Sequence, residues 1–116
     1  MNKFLMHLLP QYFDLISKGE KIYEVRLNKE KLKGIKEGDL ITFSKLPENI
    51  EVITVKVLEI IKFNSFSDMA NTLPHKEIGF DSKTNEEVIK VYKEIYPIDE
   101  EEKKYGVIVF KIELVK

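Results

Sequence analysis

The sequence contains no cysteine, which excludes structural disulfides and every metal site built on thiolates. It has no apolar run near the roughly 18 residues that a membrane-crossing helix requires. The apolar stretch at the N-terminus is short and lacks the small-residue cleavage pattern of a secretory leader. Residues 4–8 therefore read as part of a strand, and the expected location is cytoplasmic. Linkers rich in glycine, proline or serine, low-complexity tracts and internal repeats are also missing, so the 116 residues suit a single domain spanning 1–116. An excess of one charge is lacking as well: the formal net charge is −1, which argues against strong non-specific binding to nucleic acid. The scarcest charged side chain is arginine. Arg26 stands alone against eighteen lysines, and a chain so biased keeps arginine where a planar, bidentate fork is hard to replace.

What is present is a globular balance, 43% apolar and 34% charged, enough for one modest core. The charge is segregated. Residues 18–36 hold seven basic side chains (Lys18, Lys21, Arg26, Lys29, Lys31, Lys33, Lys36) against Glu20, Glu24 and Glu30, while 98–102 read IDEEE. Such runs are compatible with plain solvated faces.

Short strands alternate with short helices. Residues 3–8 read as a strand. Pro10 suits the first turn of a helix that buries Tyr12, Leu15 and Ile16, with Gly19 at its left-handed end. In 21–27 (KIYEVRL) Tyr23, Val25 and Leu27 share one face and Ile22, Glu24 and Arg26 the other. A helical turn at 29–33, a Gly38-Asp39 turn and a strand at 40–45 follow. Residues 50–62 form one long β-branched strand, long enough to bend around a barrel. A helix is expected from Ser65 to Leu73. Another opens on the capping box of Thr84 and Glu87 and buries Val88, Val91, Tyr92 and Ile95 before Pro97. Asp99 and Glu102 repeat that cap spacing for a last helical turn near Tyr105, and a strand closes the chain. The fold class is α+β: about five strands in a small closed barrel with three or four short helices, which would leave no open sheet edge.

The sharpest chemistry lies in Gly19-Glu20-Lys21-Ile22-Tyr23-Glu24-Val25-Arg26. Glu24 and Arg26 are two apart on one strand face, so they can pair or share a ligand. Lys21 has the opposite parity and joins them only if a turn or bulge follows Gly19. A ligand role requires these groups to reach a solvent-open pocket; the competing reading is an internal ion pair that fixes the strand. His7 and His75 lack partners at metal-ligand spacing, so neither metal nor cofactor is expected. No phosphate-binding loop or serine-hydrolase elbow is present.

The pattern G-x-K-x-x-E-x-R, here Gly19, Lys21, Glu24 and Arg26, resembles the signature of the ASCH domain. The likeness extends through HLLPQYFDLI, GIKEGDLITF (34–43), SFSDM (65–69) and EEEKKYGVIVFKIEL (100–114). It implies a PUA-like barrel whose motif lines a cleft, and an RNA-, nucleotide- or nucleoside-binding role for that Lys/Glu/Arg cleft. One subfamily hydrolyses N4-acetylcytidine with a threonine nucleophile beside the motif lysine. That position is Glu24 here, and the subfamily's late catalytic glutamate falls near Asp81. Should the protein be a hydrolase of a modified nucleoside or an RNA phosphodiester, the catalytic pair would be Lys21, steadying an oxyanion, and Glu24, activating water. A carboxylate between two cations makes a weak base, which favours binding. Arg26 would hold phosphate or base, with Tyr96, Glu101 and Tyr105 on the cleft's far wall, where an aromatic can stack or simply belong to the core. A regulatory partner-binding module is a further alternative, and the expected assembly is a monomer or weak dimer.

Overall fold

In the computed structural model, which describes residues 2–116, period-two patterning decides the strands. Met6 and Leu8 of β1 (Lys3–Leu8) face inward while Lys3, Leu5 and His7 face out. The same alternation runs through β3 (Leu40–Lys45), where Ile41 and Phe43 are fully buried, and through the long β4 (Val52–Phe63). β2 (Tyr23–Leu27) and β5 (Val107–Leu114) complete one sheet of order β1-β3-β4-β5-β2. β1 and β3 are parallel; every other neighbouring pair is antiparallel. A parallel pair needs a long crossover, supplied here by α1 (Pro10–Ser17) and β2. The register of β4 against β5 shifts between Val57 and Glu59, and a bulge of this kind increases local twist and lets the sheet curl.

The expected α+β fold of about five strands and a few short helices forms, as a five-stranded sheet curled into a half-barrel with four α-helices; only its full closure is not reached. β1 and β2 are both edge strands, and the curled sheet keeps a seam between them. Ionic side chains of β2 and the turn before it occupy that seam in place of a ladder, as described below.

Two cores result. Inside the curl, Phe13 and Ile16 of α1 pack on Phe43, Val55, Val57, Phe110 and Ile112. On the other face of β5 and β2, Val25, Leu27, Val107 and Val109 are covered by α2 (Phe66–Thr72) and α3 (Asn85–Ile95) through Phe66, Met69, Val88 and Tyr92. Each fully buried side chain of this size stabilises the fold by about 1.5–3 kcal/mol relative to exposure. β5 is therefore sandwiched, and β2 extends that double-sided burial to the sheet's edge.

Helix ends largely follow the sequence. Thr84 and Glu87 form the reciprocal capping box, and Gly19 has φ +77° just beyond α1. Two expectations need correction. Ile95 is exposed, on the last turn of α3. Asp99 is not a cap: α4 (Asp99–Tyr105) follows Ile98 with no side-chain cap. Glu102 instead accepts from the Phe66 amide at 2.7 Å and from Lys93, tying α4 to α2 and α3. No helix among the described residues is long and apolar enough to cross a membrane.

One clip between α2 and α3 titrates. His75 meets the Lys83 carbonyl through Nδ1 at 2.7 Å and the Ala70 carbonyl through Nε2 at 2.8 Å. Two carbonyls require two N–H donors, which only the imidazolium supplies. These bonds raise the His75 pKa above its ordinary 6.5. The contribution to stability is complete below that ordinary value and is lost as pH rises through the higher folded one. Urea midpoints followed from about pH 5.5 to 9 should therefore fall more steeply for the natural protein than for His75→Gln; parallel curves would contradict the assignment.

Candidate functional site

The seam is built around β2. Glu24 lies opposite Phe110 and Arg26 opposite Ile108. Directly opposed residues share a sheet face, so both polar side chains point towards the inner core while Val25 and Leu27 enter the second one. Lys21 reaches them because the chain turns after α1. The amides of Glu20 and Lys21 both donate to the Leu15 carbonyl, and β2 begins only at Tyr23. The strict strand parity that would have separated Lys21 from Glu24 is thereby broken.

The three groups form a chain of contacts. Lys21 Nζ stands 3.4 Å from Glu24 Oε1, and Arg26 Nε donates to Glu24 Oε2 at 2.7 Å. Lys21 also donates to the carbonyls of Tyr23 and Ile78, the latter at 3.1 Å. Arg26 Nη2 donates to the His7 carbonyl of β1 at 3.0 Å, which straps the two free sheet edges together. Gly79, at φ +100°, makes room for this: a Cβ there would stand 3.3 Å from Lys21 Cδ.

Electrostatics follow from burial. Lys21 is 3% exposed and Glu24 5%. Burial pushes the Glu24 carboxyl upward, but the charges of Lys21 and Arg26 and the hydrogen bonds they donate outweigh it and hold the carboxyl below its ordinary value. Burial lowers the Lys21 pKa more than Glu24 restores it. The two directions pull opposite ways for a single ion pair, and geometry decides in favour of the ions: Nζ sits among three oxygen acceptors and Glu24 between two cations. For Arg26 the carboxylate's pull exceeds the desolvation.

Beside this triad lies a cavity of about 180 Å³, lined by Lys21, Glu24 and Arg26 together with Tyr12, Tyr92 and Tyr96, and rimmed by His7, Leu8, Leu9, Leu46 and Ile95. Of the two readings of the motif, a group open to a pocket and an internal ion pair, each describes part of it. Lys21 and Glu24 are buried and paired, while the Arg26 side chain keeps 18% exposure. The cavity is smaller than the roughly 300–1,000 Å³ typical of drug-sized ligands.

The other sequence candidates divide. Tyr96 lines the cavity with its ring stacked on Phe66, centroids 5.6 Å apart. Glu101 and Tyr105 do not reach it. Glu101 pairs with Lys29 at 3.1 Å, and Tyr105 lies beneath the Lys104 ammonium. Both are carried outward because α4 is docked through Glu102. Asp81 is exposed and outside the cavity. Sequence reasoning missed Tyr12 and Tyr92 as cavity groups, because helical periodicity marks them simply as core. Tyr92 is only 5% exposed; its hydroxyl has no hydrogen-bond partner among the described residues and is not sealed from solvent. Burial, and then the nearby Glu24 charge, raise the pKa of Tyr12 and raise that of Tyr92 well above 10; for Tyr96, burial also outweighs the opposing Arg26 charge. All three stay phenols, hence donors, at neutral pH. No group of three or more His, Asp or Glu disposed to hold a metal exists among the described residues.

The ASCH domain matches residues 6–116. The crystal structure of a hypothetical protein, PH0355, is 36% identical, covering 99% of this chain and 100% of that one at a TM-score of 0.85. The solution structure of protein PF0455 from Pyrococcus furiosus is 34% identical, covering 100% and 99%, at 0.78. An ASCH domain from Lactobacillus crispatus shares the fold at 12% identity and a TM-score of 0.64, covering 97% of this chain and 79% of that one. No curated protein matches.

Removing the anion of the triad should be costly. Glu24→Gln leaves Lys21 and Arg26 buried without a counter-charge and should lose about 3–5 kcal/mol in urea denaturation. Gly79→Ala, forced into a left-handed backbone, should lose about 1–2 kcal/mol. A Glu24→Gln variant as stable as the natural protein would show that the triad is not ionised.

Proposed function

Because the chain belongs to the ASCH domain family, we propose that the seam cavity binds one planar, acceptor-rich ring of the nucleobase or nucleoside type, either free or at an unpaired position of RNA. The observation that carries this reading is the cavity's chemistry. Its polar groups with unused donor capacity are the remaining guanidinium N–H groups of Arg26 and the phenols of Tyr12, Tyr92 and Tyr96, which can also accept. The carboxylate oxygens of Glu24 are both engaged by cations. The Tyr92 hydroxyl has no internal hydrogen-bond partner among the described residues and is not sealed from solvent, so a carbonyl or ring nitrogen of a ligand can take its proton in place of water. Around this polar floor the exposed Leu9 and Ile95 form an apolar rim, suited to the faces of a flat ring. The volume suits one ring with part of its sugar.

The same geometry disfavours hydrolysis. General-base catalysis needs a carboxylate with a raised pKa and a free lone pair facing water. Glu24 is held low and occupied on both oxygens. Lys21 is saturated by Glu24 and two carbonyls.

Calorimetric titration with the four ribonucleosides and N4-acetylcytidine, alongside assay for acetate release, tests the reading. Binding without turnover is expected. Tyr92→Phe should leave stability within about 0.5 kcal/mol, since its hydroxyl has no internal partner, but should weaken binding roughly 3- to 10-fold, the worth of one hydrogen bond. Acetate release would return the hydrolase reading. Absence of any nucleoside affinity would favour a partner-binding role and end this one.

A further inference from the structure

The seam holds more than the ring cavity. A second groove of about 300 Å³ runs along the other side of Arg26, lined by Phe4, Leu5, His7, Arg26, Lys31 and Leu32 among others. His7 and Arg26 line both spaces, so the two adjoin across the guanidinium. We infer that the ligand site is bipartite: the ring enters the cavity, and an attached phosphate lies in the seam groove between Arg26, Lys31 and the free edge of β1. This rests on the nucleobase reading above and adds the ligand's charged half to it.

Three independent features of the groove favour an anion. Arg26 spends Nε on Glu24 and one N–H of Nη2 on the His7 carbonyl, so three of its five guanidinium hydrogens are uncommitted. Lys31 is exposed and has no acidic partner among the described residues, whereas Lys29 and Lys33 nearby in sequence are neutralised by Glu101 and Glu30. The edge of β1 adds backbone donors. Leu40 and Leu46 donate to the carbonyls of Asn2 and Leu8, so the even-numbered residues face β3. Lys3, Leu5 and His7 therefore turn their backbone groups to the seam, where, among the described residues, the His7 carbonyl alone is bonded. Free amides beside a planar guanidinium and an ammonium make a phosphate-compatible lining. Leu5, 82% exposed, supplies an apolar flank for a sugar.

The shared chemistry is a phosphate joined to a nucleoside, and it can come from a mononucleotide or from an RNA chain. The test is titration of the natural protein, Lys31→Glu and Lys90→Glu with the four ribonucleosides, their 5′- and 3′-monophosphates, and a trinucleotide. Lys90 is exposed and lines neither space, so its variant controls for net charge. At low salt a monophosphate of one polarity should bind roughly fivefold or more tighter than its nucleoside. That advantage should shrink as salt is raised, vanish in Lys31→Glu and persist in Lys90→Glu, while nucleoside affinity stays unchanged in both. A trinucleotide binding tighter than either monophosphate identifies an RNA chain as the source; equal binding identifies the mononucleotide. Nucleosides binding as well as every phosphate-bearing form, or Lys31→Glu weakening both alike, would overturn the bipartite site and leave the ring cavity standing. If no ligand binds at all, both readings fall together.

Discussion

A single carboxylate placed between two cations governs the structure at its one unclosed boundary. β1 and β2 are free edges of a curled sheet, and their backbone groups do not meet. Glu24 anchors Lys21 and Arg26; Arg26 then reaches the His7 carbonyl across the gap, and Lys21 reaches Ile78 at the end of the short helical turn 76–78. The contacts thus bind β2 to β1 on one side and to the loop beneath α3 on the other. A ladder would have joined the same edges with neutral hydrogen bonds and left no space. Side-chain bridging is longer, and the extra length is the cavity.

Such an arrangement is not favoured for stability alone. Desolvating two cations and an anion offsets most of their attraction, and well-packed apolar residues commonly do as well. The triad does impose a geometry, however, because each of its partners is fixed in direction. Three phenols converge on it without bonding it, and an apolar rim closes over it. The tyrosines are aligned by packing: Phe66 stacks on Tyr92 at 4.9 Å and on Tyr96 at 5.6 Å, and Phe80 meets the edges of Tyr12 and Tyr92. The donors are therefore pre-placed by the second core, whose apolar residues have no polar role of their own.

How much of this the sequence contains depends on the range of the interaction. Local chemistry is legible. Alternation in 3–8 and 40–45, the Thr84–Glu87 box and the turn at Gly19 all depend on residues a few positions apart, and they form as read. The approach of Lys21 to Glu24 is legible too, as a condition on the turn after Gly19. Sheet order is not, because it depends on β2 leaving its sequence neighbours to pair with β5, eighty or more residues away. Without that, the sequence pattern suggests a closed barrel. The partners that make the site are also partly backbone: the carbonyls of His7 and Ile78 carry no residue-type signal. Glu101 and Tyr105 were misplaced for a related reason. An acidic run reads as a uniform face, yet one member, Glu102, bonds the Phe66 amide and thereby sets which way all the others point.

The identity of residue 24 then decides what kind of site the scaffold holds. With a hydroxyl side chain there, Lys21 would lose its counter-ion while staying buried and facing Arg26, and desolvation would drive its pKa down towards the range of a useful base. With Glu24 in place, that lowering is opposed by an adjacent negative charge. Glu24 raises the Lys21 pKa against its burial without fully offsetting it, and its own carboxyl is held low between the two cations. One carboxylate therefore holds the seam together and fixes the cations that border the cavity, and the two effects share one cause: its charge is spent on neighbours that are themselves held in place.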